Sequence, residues 1–121
     1  MRSVSREWKL FFLDMVEFCQ RIQSYTAELE RSAFEASNLY FDATVRNIEL
    51  IGEAARNIPE EIRRQMPDIP WPKLVGIRNV LAHGYFSTDK DVVWDLIRHA
   101  VPVLLAQLQS HRARIERGEI R

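Results

Sequence analysis

The chain of 121 residues has one cysteine, Cys19, and only four glycines. A single thiol excludes an internal disulfide and a cysteine-based zinc site. Scarce glycine leaves little turn chemistry for a fold of many short strands. No run shows the period-two alternation of a half-buried strand either. Long hydrophobic runs are also missing, and none approaches the ~20 residues of a membrane span. Met1 to Trp8 carries charge and no apolar segment, so a secretory signal is not expected there. Charge of one sign is lacking too. Seventeen Lys and Arg balance 17 Asp and Glu, and the pI is near 6.8. A general nucleic-acid coat would be more basic, so any such contact must come from a local patch. These absences lead us to expect a soluble, cytoplasmic protein.

What is present favours a single all-α domain over residues 1–121, an antiparallel bundle of four to five helices. Hydrophobic residues make up 46% of the chain, enough for a packed core. Trp8, Phe11, Phe12, Met15, Phe18, Cys19 and Ile22 recur at three- and four-residue steps, predicting a first helix from about Arg6 to Ala27. In that stripe Cys19 reads as core. A linker or helical turn is expected over about 28–37. The next helix is expected from Asn38 to Asn57, capped by Ser37 or Asn38. Its packed face would carry Tyr40, Ala43, Thr44, Ile48, Ile51, Ala55 and Ile58. Gly52 inside it suggests that another helix comes close. Pro59 can open a short helix to about Gln65.

Pro67, Pro70 and Pro72 then break the chain. One helix is expected from Pro72 to about His83, ended by Gly84. The last should start near Thr88, with Thr88 to Asp91 as a capping box, and bend at Pro102. The basic tail, about residues 111–121, is expected to fray.

The densest polar group lies in Ile77-Arg78-Asn79-Val80-Leu81-Ala82-His83-Gly84-Tyr85-Phe86. Arg78 could hold a phosphodiester and stabilise charge building on its oxygens. His83 could take or give a proton near neutral pH, without metal or cofactor. Asn79 shares a face with His83 and could orient either group. Tyr85 could bond a phosphate or stack on a base. Arg78 and His83 are five residues apart, or about 140° around an ideal helix. A long side chain, a helix ending at His83, or a second protomer could bring them together. The bland alternative makes Arg78 a surface ion pair, His83 a helix cap and Tyr85 a loop-packing residue.

Arg78 to Tyr85 matches the R-x4-H-x-Y motif and resembles the HepT-like toxins of the HEPN superfamily. Arg46 to Ala55 is similar to that family's central helix. Ile69-Pro70-Trp71, Val92-Val93-Trp94 and Asp14 resemble further landmarks, so the resemblance covers about residues 13–108. It implies a HEPN-like bundle that dimerises, with two motifs lining one cleft. It implies a metal-independent endoribonuclease toxin, with Arg78, His83 and Asn79 catalytic and no cofactor. The implied partner is a minimal nucleotidyltransferase antitoxin of the MntA type. This antitoxin would silence the toxin of the toxin–antitoxin pair by AMP transfer to Tyr85, placing bulk and negative charge beside His83. Glu53 becomes a second candidate, either pairing with Arg78 or lying in the cleft. Some HEPN relatives are non-catalytic modules that bind a nucleotide or a nucleotidyltransferase, which is the competing reading. His99 and His111 lack the spacing of a helical metal site, and Asp89, Asp91 and Asp95 suit a helix start better than a metal.

Overall fold

A computed structural model describes residues 7–82 and 89–121, and among these every regular element is helical. His83, Gly84, Tyr85 and Thr88 lie outside the described residues.

Helix α1 spans Trp8–Thr26 and buries Trp8, Phe12, Met15, Cys19 and Ile22, the expected stripe. Phe11 and Phe18 flank that face and are half-buried. The expected linker contains a short helix, α2, over Arg31–Ala36. Its anchor is Phe34, fully buried with its ring 5.6 Å from Phe41 and 5.7 Å from Trp94. Ser37 caps α3, Asn38–Arg56, by accepting the Tyr40 N–H at 3.2 Å. Thr44, Ile48, Ile51 and Ala55 face inward as expected, but Tyr40 is exposed. Phe41, one position on, makes the contact with Phe34 instead.

Gly52 meets the second expectation. A Cβ there would stand 2.7 Å from the Leu74 carbonyl oxygen and 2.8 Å from Ile77 Cγ2. The chain that presses on it follows the short helix α4, Glu60–Arg63, and the proline-rich break. Met66 and Ile69 are buried in that break, and the Trp71 indole N–H donates to the Met66 carbonyl at 3.0 Å.

The single helix expected from Pro72 to His83 is two pieces, α5 over Trp71–Val75 and α6 over Ile77–Ala82. Gly76 sits between them at φ −86°, ψ 0°. Glycine favours helix least after proline, and here it turns the backbone where the chain crosses α3 at Gly52.

Helix α7 spans Lys90–Asp95, and its cap is Asp89. The Asp89 carboxylate accepts the Asp91 N–H at 2.9 Å and the Val92 N–H at 3.4 Å, so one side chain serves both first-turn donors. A widened π turn over Leu96–Ala100 joins α7 to α8, Val101–Glu116. In it the Val101 N–H bonds the Leu96 carbonyl, five residues back. This is the distortion expected at Pro102, whose ring would press on the Arg98 carbonyl in a regular turn.

The tail does not fray. Helix α8 continues through buried His111 to Glu116, and Gly118 at φ 75° turns the chain back. Ile120 is buried, and Gln65 binds the Arg121 carbonyl at 2.7 Å and its N–H at 3.2 Å. Arg114, in the tail expected to fray, donates to the Gln65 carbonyl at 3.0 Å.

In section, α1 packs on α3 and α8, while α5 and α6 lie on α3. No helix among the described residues is long and apolar enough to cross a membrane.

Candidate functional site

Helix α6 begins after Gly76, and one of its faces is committed to packing. Leu81 is buried and Ile77 presses on Gly52. Arg78 and Asn79 are consequently exposed, and Val80 is 50% exposed. Arg78 forms no ion pair among the described residues, neither with Glu53 nor with another carboxylate. The surface-pair alternative for it is therefore not what the structure contains. Glu53 is exposed on α3, the helix against which α6 packs, but stands apart from Arg78 as an ion-pair partner.

The distribution of cations gives Arg78 a context. On α1, α2, α4, α7 and α8 the described Lys and Arg side chains are engaged. Arg31 pairs with Glu35 and Asp91, Arg112 with Glu116, and Arg117 with Glu119. Arg98 stacks on Trp94 at 4.4 Å, and Lys90 donates to the Glu35 carbonyl. The cations that no described residue engages are Arg46, Arg56, Lys73 and Arg78, all on α3 or α5–α6. Glu49 and Glu53 lie between Arg46 and Arg56 on α3.

Beside α6 runs a groove of about 810 Å³. One wall is Ile77 and Val80, the other Leu96, Ala100 and Val103. Val80 and Val103 are among the exposed large apolar residues of the molecule, Val103 at 58%. Arg78 is not part of the lining. Val80 is two positions on, about 200° around a helix, so α6 presents a cation on one flank and an apolar edge on the other. His83 and Tyr85 lie outside the described residues.

Other candidates resolve more simply. Burial pushes the Cys19 thiol up to about 12, which makes it an inert core group rather than a nucleophile. His99 is exposed beside Asp95 at 3.7 Å. His111 is 7% exposed and bonded to Asp68, so it packs inside rather than lying on the tail surface. Among the described residues, no group of three or more His, Cys, Asp or Glu could hold a metal ion. Sequence reasoning missed Asp68, Gln107 and Arg114, whose contacts join segments far apart in the chain. The one local signal was a polar series, Gln107, His111 and Arg114, at helical spacing.

The profile of a family described as ribonuclease HepT-like matches residues 15–111. A Thermococcus cleftensis protein named as a probable ribonuclease HepT is 31% identical over 109 residues, covering 90% of this chain and 99% of its own. Two Methanocaldococcus jannaschii proteins, each provisionally named an RNase, are also similar. One is 34% identical over 105 residues, covering 87% of both chains. The other is 31% identical over 104 residues, covering 86% of this chain and 95% of its own. No solved structure matches significantly.

Proposed function

Because this chain belongs to the ribonuclease HepT-like family, we propose that it cleaves RNA as a metal-independent endonuclease and acts as a toxin in the cytoplasm. The observation that carries the reading is Arg78. It is an exposed guanidinium with no partner among the described residues, on α6, five residues before His83. Arginine left unpaired can bind a phosphodiester in two-pronged fashion and stabilise the charge that grows on its oxygens.

In the proposed reaction a ribose 2′-oxygen attacks the adjacent phosphorus and the bond to the 5′-oxygen breaks. One imidazole takes the 2′ proton and another gives a proton to the leaving oxygen. Each chain has one His83, so a homodimer supplies both. The groove beside α6 suits a second copy, because Val80 and Val103 leave apolar walls uncovered next to the motif. Asn79, exposed one position from Arg78, orients the phosphate, and Glu53 lines the cleft as a substrate-side residue. The toxin's partner is a minimal nucleotidyltransferase antitoxin, which transfers AMP to Tyr85. The adenylate then occupies the phosphate position and repels RNA.

The experiment is RNA cleavage by the purified protein, with His83→Ala and Arg78→Ala compared with wild type. We expect a loss of about 10²–10⁴-fold for His83→Ala, with the helical signal and Tm unchanged for both variants. Cleavage by His83→Ala at the wild-type rate rejects the mechanism. Intact mass after co-expression with the nucleotidyltransferase should show added adenylate that Tyr85→Phe lacks.

The zero formal net charge favours a second reading, a non-catalytic module that binds a nucleotide or a nucleotidyltransferase. That reading predicts no growth arrest when the chain is expressed alone.

A further inference from the structure

One polar cluster has no part in the proposed chemistry. Three side chains on a single face of α8 hold the break that feeds α5. Gln107 donates to the Asp68 carbonyl at 2.9 Å. His111 Nε2 lies 2.5 Å from Asp68 Oδ1. Arg114 donates to His111 Nδ1 at 2.9 Å and to the Gln65 carbonyl at 3.0 Å.

The chemistry of the donors fixes the imidazole. A guanidinium has only N–H donors, so His111 Nδ1 must accept with its lone pair. The ring proton is then on Nε2 and is donated to Asp68. Both neighbours demand the same tautomer, and burial at 7% exposure keeps water from competing. A His with two specified partners at opposite edges is an oriented strut, not a space-filler.

The location of the strut gives it a consequence. Asp68 and Gln107 lie at the groove between the α5–α6 wall and the α8 wall. Along most of that groove the two walls are held apart, with Val80 and Val103 both exposed. The break Met66–Pro70, by contrast, is fastened to α8 by side chains and leads directly into Trp71 and α5. On its other side α5–α6 is seated on the core by buried Trp71 and Leu81 and comes closest to α3 at Gly52, against Leu74 and Ile77. The bonds from α8 to Gln65 and Asp68 add a tether at the break that leads into α5.

We propose that Asp68, His111 and Arg114 form a positioning relay that holds the base of α5–α6 on α8. The relay thereby sets where Arg78 and Asn79 stand. Its role in cleavage rests on the ribonuclease reading above, but its structural action does not.

The test is made by NMR on the full chain. The His111 imidazole should show a protonated Nε2 and a bare Nδ1. The opposite tautomer, or an average of the two, overturns the relay. The Trp71 indole proton, bonded to the Met66 carbonyl, reports on the break. Its exchange with solvent should be at least about tenfold faster in His111→Phe, which keeps a ring but loses both bonds. The Arg78 and Asn79 backbone signals should shift as well. His111→Gln retains a donor towards Asp68 and should restore slow exchange, while core amides of α1 and α3 stay unchanged in both variants. Equal acceleration at every site, or none at Trp71, overturns the proposal. Should His111→Phe fail to fold, Asp68→Ala at a half-exposed position removes the same bond and carries the same expectations. In a parallel RNA assay, cleavage should fall with His111→Phe. Wild-type protein that does not cleave RNA would sink the ribonuclease reading and leave the exchange result to decide the relay.

Discussion

Helices α1 and α3 on one side, and α5 and α6 on the other, are built by different rules. The first pair is long and carries apolar residues at every turn, and the cations of α1 are occupied by nearby partners. The second pair is split by a glycine. It comes closest to α3 at Gly52, and neither Lys73 nor Arg78 has a described partner. Burial of many apolar groups sets the position of α1 and α3 redundantly. The position of α5–α6 depends on a few specific contacts, so a small change there moves functional groups without dissolving the core.

Substitutions can break that contrast. The largest effect is expected for Phe12→Ala in α1, where the ring is 1% exposed. It should cost about 3–5 kcal/mol in urea unfolding and lower Tm across the whole molecule. A loss below about 1 kcal/mol would mean that the α1 side is not the rigid half.

Gly52→Ala comes next. The new methyl would meet the Leu74 carbonyl at 2.7 Å, a backbone group that cannot turn aside. The gain in helix propensity, about 1 kcal/mol, is smaller than the overpacking penalty, which reaches about 3 kcal/mol. Unfolding should show a net destabilisation of about 1–2 kcal/mol. Backbone NMR should place the displacement at α5–α6 rather than α1. A stabilised Gly52→Ala protein would refute the close approach.

The smallest effect sharpens the comparison. Asp89→Ala removes the cap of α7 and should cost about 1 kcal/mol. Asp89→Ser should recover most of it, with the loss confined to amides of the first turn of α7.

Much of this architecture was legible in the sequence, and the reasons differ by region. The spacing of Phe12, Met15, Cys19 and Ile22 identified α1, and Ser37 before an apolar-periodic run identified the start of α3. Gly52 in a helix interior signalled the crossing that Leu74 and Ile77 make. These features are local, or nearly so. Gly76 was legible as a residue but not as a break, because Leu74, Ile77 and Leu81 keep helical spacing across it. Thr88 and Asp89 both look like caps, and only the carboxylate's bonds to Asp91 and Val92 decide between them. The tail was misread because its anchors are distant in sequence. His111 reaches Asp68, and Arg121 reaches Gln65. A run of arginines does not show that its neighbours fold back.

At the candidate site, the exposure of Arg78 and Asn79 followed from the apolar positions around them. The groove could not be foreseen, since Val80 and Val103 look like any other apolar helix residues.

The buried Cys19 has a practical consequence. Its thiol is 0% exposed and pushed up to about 12, so a maleimide should pass it by in the folded protein. Cysteine introduced on the outer face, for example at Arg56, would then be the sole site to accept a fluorophore. Nothing in the hydrophobic interior would have to be altered to attach one. Binding to RNA or to a partner protein could be followed by light on an otherwise native chain.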